Sequence, residues 1–564
     1  MMERPRLTSL GRVPATNSTP PSLQRTSHIM GNIIAIIREA YKTISAAIKA
    51  FIALNADFLE VLARASKPPG LPVAASTQSY WLADPPYPEL VDTRSEKLPE
   101  FCDVAIIGSG ITAAAVARTL LVEAQRKNDA LGRVVVLEAR QLTSGATGRN
   151  GGHIKPSSYL DYALLKKKFG AARAAAIVRF QRQHLTRIPD LCRAEHFDVA
   201  ECREVESVDL FLDTPSFEKW CKQVDELKSA VPEAVHTISN SKEAQEKFDV
   251  GEQVVGAISY TCGALWPYRL VSSVWKSLLT QFPTVLSIET GTPVESISSA
   301  ESDAHPFLLQ TPRGIVRARH VVHATNAFAS HLIPGLRNKM TGLRAHMSAQ
   351  RPGQSFKSDP KGGRSWSIMY GSGFDYMTQR PAAPDSKTGG HLMIGGGFFR
   401  SMKQGLDQMG VWDDSKLDAL TATHLNGILP TVFSPHWGAD APAGRLKQMW
   451  SGTICFTADS VPFVGRVDPR LTGRKVKSAA MQASKQPQPG EWIAAGYHGD
   501  GMIYAWLCGS AVGLMLAGSD EDEKVPERPG LPGGRVDGWL PEELRISYDR
   551  VRKLTLADLA DELE

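Results

Sequence analysis

Residues 103–121 read DVAIIGSGITAAAVARTLL, and the order of residue types within them decides the fold. Val104 to Ile107 are apolar and β-favouring, so the stretch opens as a buried strand. Gly108-Ser109-Gly110 follows as a tight turn, and from Ile111 the run ITAAAVARTLLVEAQ is dense in helix formers. Strand, glycine turn and helix in that order seat a dinucleotide pyrophosphate. The first glycine permits the turn, the second lets backbone approach the phosphates, and the third position needs only a small side chain where helix meets strand. Ala113 stands in that third position and meets the need. The amides of Ile111, Thr112 and Ala113 then offer N–H groups, with the positive end of the helix dipole, to the diphosphate.

A second apolar strand, RVVVLEAR (133–140), ends in Glu138. A carboxylate at such a strand end accepts hydrogen bonds from the ribose hydroxyls of an adenosine. The continuation ARQLTSGATGRNGGH (139–153) does not return at once to a helix. It is a small-residue loop with hydroxyls at Thr143, Ser144 and Thr147, which lets backbone lie along an extended cofactor reaching past the pyrophosphate. This pattern points to FAD rather than NAD. The implied fold class is α/β with a Rossmann-like FAD-binding domain.

At this loop the chain resembles the D-amino-acid oxidase type of flavoprotein, a superfamily that includes glycine and sarcosine oxidases. Its pattern is most similar to γ-glutamylputrescine oxidase-like proteins. The resemblance runs from about residue 79 to 518, and it implies that the FAD-binding domain is discontinuous, with an inserted mixed or antiparallel-sheet substrate domain. SYWLADPPYPEL (79–90) is similar to an aromatic lead-in, GALWPYRLV (263–271) to the start of a helix returning to the FAD domain, and TGTPVESI (290–297) to a strand whose Val294 backbone meets the adenine. ARHVVHATNAFASHLIP (318–334) resembles a second small-residue turn, at Ala324 and Thr325. DYMTQRP and HLMIGGGFF resemble paired substrate-domain strands, and WSGTICFTADSVPFVG (450–465) fits a pattern that includes Asp459 and Gly465. GYHGDGMIYAWLCGSAVG (496–513) resembles the closing turn and helix at the flavin. Collected, the expected FAD contacts are Gly108, Ser109, Gly110, Ile111, Thr112, Ala113, Glu138, Ala139, Arg140, Ser144, Ala146, Thr147, Arg149, Asn150, Gly151, Val294, Ala324, Thr325, Asp459, Gly465, Gly499, Asp500, Gly501 and Met502.

The resemblance implies removal of hydride from a carbon next to nitrogen, followed by hydrolysis of the imine. Backbone amides of Gly499, Gly501 and Met502, at the start of the last helix, are placed to stabilise reduced flavin. Candidate catalytic residues are His498, Asp500 and His153; each histidine is read either as a base or orienting group, or as a packed core residue. Asp500 replaces the histidine of the usual G-H-G turn, with two readings open: attraction of a cationic amine, or an N-cap for the helix that follows. Tyr376, Met393 and Trp450 are candidate cavity walls. Met393 stands where the sarcosine oxidase pattern has an oxygen-activating lysine, and Ile503 where it has a carboxylate-binding one. Those departures bring a dehydrogenase using an acceptor other than O2, and an amine or larger conjugate as substrate, into consideration. Ile454 occupies the place of a flavin-linked cysteine, beside Cys455, so the FAD is expected to be non-covalent.

Composition narrows the remaining classes. The 564 residues carry a formal charge of +5, too small for a nucleic-acid surface at this length. Seven cysteines without any CxxC pair indicate neither a zinc site nor a disulfide framework, and point to reduced thiols in an intracellular, cytoplasmic setting. Residues 1–29, rich in Ser, Thr, Pro and Arg, read as a disordered leader or a weak imitation of a mitochondrial transit peptide. Residues 30–78 form an N-terminal segment whose 33–64 stretch has helical periodicity, either packed on the body or lying on a membrane surface. The expected FAD-binding domain spans 79–165, 256–340 and 441–518. The substrate domain spans 166–255 and 341–440, and a tail with a helix covers 519–564. Two competing functions stay open: a membrane-associated dehydrogenase passing electrons to a quinone, and a non-catalytic FAD-binding relic.

Overall fold

The computed structural model describes residues 56–300, 304–371, 373–383, 389–476 and 487–562. The chain divides into two compact units, residues 1–60 and 61–564. Of the first, only residues 56–60 are described, and they are helical. The expected leader (1–29) and nearly all of the expected amphipathic helix (33–64) therefore lie outside the described residues. Everything below concerns the second unit.

Phe101–Ile107 is a strand, and its buried apolar residues sit at the centre of the first sheet. It pairs in parallel with Val134–Leu137 on one side and Gly314–His323 on the other. Leu286–Glu289 and Gly490–Ala495 extend the parallel sheet outward, and Phe463–Arg466 closes it antiparallel. Val134, Val135, Val136 and Leu137 are all buried, which is why this strand reads as a continuous apolar run rather than an alternation. Burying each such side chain stabilises the fold by about 1.5–3 kcal/mol.

The helix Ile111–Lys127 leaves the glycine turn and packs against Ala505–Leu516, a helix buried on every side. Gly509 and Gly513 make that crossing close. A methyl on Gly509 would stand 2.6 Å from the Thr112 carbonyl oxygen, and one on Gly513 2.7 Å from Thr119 Cβ. The helix Pro267–Gln281 also packs on Ile111–Lys127, and Trp275 Nε1 donates to the Ser109 carbonyl at 2.9 Å. The glycine turn is thus braced from behind by an indole.

The second sheet runs Leu446–Thr457, Met340–Gln350, Leu392–Gly396, Gly373–Gln379, Arg364–Tyr370, Arg203–Phe211, Gly256–Ala264 and His153–Ile154, with Thr237–Asn240 beside Gly256–Ala264. All its pairings are antiparallel except Arg364–Tyr370 with Arg203–Phe211. Alternating side chains split between two cores. Leu392 and Ile394 join Trp366, Ile368 and Leu425 on the outer face, whereas Met393 joins Trp81, Trp266, Met347 and Trp450 on the inner one.

Within the stretches expected for the FAD-binding domain, His153–Ile154, Gly256–Ala264 and Leu446–Thr457 are ladder members of the second sheet. Gly256–Ala264 leads on to the helix Pro267–Gln281, which packs on Ile111–Lys127, and Leu446–Thr457 leads on to Phe463–Arg466 of the first sheet. The tail folds back on the body: Val525, Leu531, Val536, Leu540 and Leu544 are buried, and the Ile546 amide donates to the Val464 carbonyl at 2.9 Å. The expected tail helix is short, Tyr548–Lys553.

Candidate functional site: a crevice at the strand ends

The parallel strands Phe101–Ile107, Val134–Leu137 and Gly314–His323 all end on one edge, and the turns leaving them form a crevice. Gly108 has φ +100°, and a methyl there would stand 2.8 Å from the Ala324 carbonyl oxygen. Only glycine satisfies both constraints, so the turns after the first and third of these strands approach backbone to backbone. At Gly110 a methyl would lie 2.9 Å from Thr147 Oγ1, which brings the small-residue loop over the helix start.

The first helical amide, Ile111 N–H, donates to Thr147 Oγ1 at 3.0 Å, and the Thr112 hydroxyl pairs with Tyr497 Oη at 2.7 Å. The expectation that Ile111 offers a free donor is therefore corrected: Thr147 caps it. The Thr112 and Ala113 amides remain as first-turn donors with no intrahelical acceptor. Glu138 is fixed from both sides. Its Oε2 accepts from Ser109 N–H (3.0 Å) and Ser109 Oγ (2.7 Å), and its Oε1 from Arg140 N–H (2.9 Å). A carboxylate has about four acceptor positions, so capacity for a ribose hydroxyl remains. Ala139 follows it, and Ala146 lies exposed on the loop. Gly291 and Thr292 amides bond the carbonyls of Arg140 and Glu138, drawing the loop that carries buried Val294 to the same turn.

These residues fit an FAD. Beyond the glycine cradle, two hydroxyls on the crevice loops, Ser144 Oγ and Thr325 Oγ1, are buried with no hydrogen-bond partner. Buried polar atoms are almost always bonded, so two orphans on the loops that line one crevice suit the polar atoms of such a ligand.

Other expected contacts have different work. Arg149 is buried, and its guanidinium bonds the carbonyls of Ser144, Ser451 and Thr77 and the hydroxyls of Ser76 and Thr77. Asp414 stands 3.3 Å away, and burial lowers the Arg149 pKa to about 10. It is a clamp between loop and second sheet rather than a flavin donor. Arg140 is paired with Asp414 at 3.0 Å. Asn150 folds back, donating to the Ala146 and Thr147 carbonyls and accepting from Gly152 N–H. Gly151 gives its carbonyl to Thr378 Oγ1 at 2.9 Å and leaves room for the Tyr376 ring. Asp459 is held by Arg550 of the tail at 2.8 Å, and Gly465 (φ +121°) faces Met515 and Ile546. Both belong to tail packing, away from the crevice. The pattern that flagged them marks a turn this fold uses structurally.

At the far end lie the candidate catalytic groups. His498 has φ +49°, accepts at Nδ1 from Thr457 N–H at 3.3 Å, and stacks edge-on with Phe456 at 4.5 Å. The Gly499 amide is committed to the Cys455 carbonyl at 3.0 Å, which removes it from the expected flavin donors. Gly501–Ile503 is a single 3-10 turn and the helix begins only at Ala505, because Tyr504 takes a non-helical conformation. Met502 is buried in that turn. Asp500 precedes the turn but its side chain makes no capping hydrogen bond, so the N-cap reading fails. Water still reaches it along the open side of the crevice. Protein rings it elsewhere, and that desolvation pushes its carboxyl up to about 6, against a weaker opposing pull from His498.

Sequence reasoning missed Asp161, on the helix Ser158–Phe169. Its Oδ2 is buried and unpartnered, and desolvation together with the charge of Asp500 raises its pKa well above the ordinary carboxyl range. The available signal was spacing: Asp161 falls in step with Ser158 and Leu165 on that helix's buried stripe. His153 Nε2 is likewise buried and unpartnered, and burial, then Lys155 and Arg203, keep the ring neutral. Its ring lies 6.5 Å from that of Tyr376, whose hydroxyl donates to Met347 Sδ at 3.2 Å and whose pKa is pushed up to about 12 by burial. Tyr376 stays partly open. Met393 and Trp450 do not: both are 0% exposed in the aromatic cluster, with Trp450 Nε1 on the Arg149 carbonyl at 2.8 Å. They support the wall rather than form its surface.

No group of metal-binding residues exists among the described residues, and no described helix is long and apolar enough to cross a membrane.

Known proteins resemble this chain in sequence and fold. The chain is similar to gamma-glutamylputrescine oxidoreductase of Escherichia coli strain K12, at 22% identity over 479 residues, covering 82% of this chain and 94% of that one. Glycine oxidase from Geobacillus kaustophilus matches its fold at TM-score 0.53 and 18% identity, covering 74% of this chain and 95% of that one. L-amino acid deaminase from Proteus myxofaciens, in complex with anthranilate, does so at TM-score 0.54 and 14% identity, covering 86% and 99%. The family model of the FAD dependent oxidoreductases matches residues 103–513, nearly three quarters of the sequence and every element of the crevice, and the chain belongs to that family.

Proposed function

We propose that this enzyme oxidises the C–N bond of a small amine or amino-acid-like substrate. The observation that carries the reading is the sharp change along one crevice. One end is a dinucleotide cradle with orphaned hydroxyls, and the other gathers Asp161, Asp500, His153 and Tyr376. When bound, FAD supplies the two-electron acceptor for a hydride lost from the carbon next to nitrogen. Gly108, Gly110 and the Thr112 and Ala113 amides would hold its diphosphate, Glu138 its ribose, and Ser144 and Thr325 its further polar atoms. The attachment is non-covalent, since Cys455 is 1% exposed and burial raises its thiol pKa, leaving no reactive thiolate there.

Oxidation requires a nitrogen lone pair, so a protonated amine must first lose a proton. Asp500, poised near neutrality and reachable from the crevice, is placed to accept it. Neutral His153 and Tyr376 line the same end and orient the substrate. The imine that results is hydrolysed by water after release.

The resemblance to γ-glutamylputrescine oxidoreductase favours amine chemistry, and the apolar Met393 and Ile503 at the two lysine positions favour an acceptor other than O2 and a substrate without a free α-carboxylate. The test is product formation: purified holoenzyme supplied with primary and secondary amines, in air or with dichlorophenolindophenol under argon, assayed for aldehyde and released amine. Aldehyde in either condition supports the reading, and the faster condition identifies the acceptor class. No aldehyde or ketone from any amine and no keto acid from any amino acid, in a protein that carries FAD, would overturn it.

A further inference from the structure

Asp161 and Asp500 come from segments more than three hundred residues apart, yet each acts on the other electrostatically. The fold explains the meeting. The strand His153–Ile154 and the helix Ala171–Ala194 both pack on the Gly501–Ile503 turn next to Asp500, and the helix Ser158–Phe169 packs on Ala171–Ala194. Gln181, from that longer helix, is 2% exposed; it donates to Tyr504 Oη at 3.0 Å and its amide also reaches Asp161. Its Oε1 is buried without a donor, as are Asp161 Oδ2 and His153 Nε2.

A carboxyl oxygen, an amide oxygen and an imidazole nitrogen that all lack a partner mark a polar site; the Gln181 oxygen can only accept, and a cationic ligand bearing several N–H groups supplies the donor it calls for. We propose that Asp161 and Asp500, with Gln181 beside them, form one receptor for the ammonium group of the substrate, so that the site takes amines lacking an α-carboxylate in preference to amino acids. This rests on the amine-oxidising reading above and narrows its substrate class.

The charge count agrees. Desolvation and the charge of Asp500 favour the neutral form of Asp161, while Asp500, with a value near 6, is mostly ionised at neutral pH, so the pair is biased away from two full negative charges and keeps one carboxylate to meet one ammonium. Three cations of the adjoining elements are engaged elsewhere. Lys155 bonds Asp209 and Ser367, Lys168 bonds Ser460 Oγ and the Ala458 carbonyl, and Arg203 bonds the carbonyls of Glu201, Gly362 and Gln379. A substrate α-carboxylate at this end would meet two carboxyl groups instead. Once the ammonium is seated, one N–H bond breaks toward Asp500; its electron pair stays on nitrogen and the proton passes to the carboxylate oxygen. The amine is then neutral and Asp500 is protonated.

The experiment uses full-length holoenzyme near neutral pH and three probes of one shape: tert-butylammonium, tert-butanol and pivalate. None has a hydrogen on the carbon bearing its polar group, so the ammonium cannot be oxidised and calorimetry reads binding alone. The wild type is expected to bind tert-butylammonium at least about tenfold more tightly than pivalate, the scale of one charged hydrogen bond. In Asp161→Asn/Asp500→Asn that preference is expected to vanish, while tert-butanol binding stays unchanged. If the double variant does not retain its flavin spectrum, Asp500→Asn alone decides, with an expected loss of cation affinity of about tenfold. Pivalate binding as tightly as the cation, no binding of the cation, or a preference that survives the substitutions would each overturn the proposal. An enzyme that makes aldehyde from amines yet shows no cation preference fails this inference alone, whereas one that makes no aldehyde fails the reading beneath it.

Discussion

At the Gly108 end of the crevice, the groups that meet a ligand are mostly backbone, set by turns within a few residues of one another. At the Asp500 end they are side chains delivered by residues 153, 161, 181 and 500 from different elements. The first end keeps its charges satisfied: Glu138 accepts three protein hydrogen bonds, and Arg140 and Arg149 are paired with Asp414. The second keeps an acid with a raised pKa and three unpartnered polar atoms. A cofactor that stays bound needs a rigid, neutralised cradle, and a substrate that comes and goes needs groups held in reserve.

The sharpest way to break this comparison is to place the same substitution at both ends. Gly108 and Gly499 have similar backbone angles, φ +100° and +88°. Alanine at either position carries a left-handed backbone cost of about 1–2 kcal/mol. Only at Gly108 does the new methyl also meet a carbonyl oxygen, at 2.8 Å, whereas at Gly499 nothing lies within 4 Å. Gly108→Ala is expected to lower FAD affinity by about 100-fold or more, through a shift of the Ala324 turn. Gly499→Ala is expected to cost no more than about tenfold. Flavin retained after dialysis measures both, and equal losses would mean that the two ends are not built differently.

The next effect concerns acids with opposite pKa shifts. Glu491, on the strand Gly490–Ala495 of the first sheet, bonds His323 at 2.8 Å and Arg474 at 2.6 Å. Desolvation opposes its charge, but these partners prevail and bring its pKa from 4.5 down to about 2. Its stabilising contribution is therefore present above the ordinary carboxylate value and lost as pH falls toward 2. Glu491→Gln is expected to cost about 3–5 kcal/mol at neutral pH, because Arg474 is left buried with its charge uncompensated. Urea titration at pH 7 measures it, and a loss below about 1 kcal/mol would place the pair outside the fold's stabilising interactions.

Asp500 has the reverse sign. Its folded pKa is raised from 3.8 to about 6, so the favourable term is full below 3.8 and disappears as pH rises through 6. Asp500→Asn is expected to raise the melting temperature of FAD-stripped protein at pH 8 and to leave it nearly unchanged at pH 4. Because water reaches this carboxyl, the gain is a few degrees at most. A melting temperature lowered at pH 8 would show that the carboxylate has a structural partner.

The smallest effect tests the reassignment of Asp459. Its pair with Arg550 is half-shielded, so Asp459→Ala and Arg550→Ala are each expected to cost about 1 kcal/mol with flavin content unchanged. Loss of flavin in Asp459→Ala but not in Arg550→Ala would return Asp459 to the cofactor.

Legibility in the sequence followed the same division. Gly108, Gly110, Ala113 and Glu138 were readable because turn, helix start and strand end are local, and local chemistry dictates which residues can occupy them. Ala324 and Thr325 were reachable through the small-residue turn after a second apolar strand. Asp161 was not: its spacing sets it in step with the buried stripe of its helix, but spacing alone does not separate an acid facing a site from one on a solvated face. Its meaning comes from Asp500, Gln181 and the turn that brings them together. The Asp500 N-cap reading failed for a related reason: the sequence shows an acid ahead of an apolar helix, but Tyr504 interrupts the backbone and delays the helix to Ala505. The protein partners of Arg149 were not legible, because its anchors at Ser451 and Asp414 lie about three hundred and two hundred and sixty-five residues downstream, respectively.

The most direct measurement is an anaerobic titration of the FAD-loaded enzyme with n-butylamine, followed at the flavin absorption bands. The expected result is bleaching by the amine, with equal concentrations of a simple α-amino acid much less effective. Flavin bands indifferent to every amine, or bleached by the amino acid alone, would contradict the assignment of this crevice to amine oxidation.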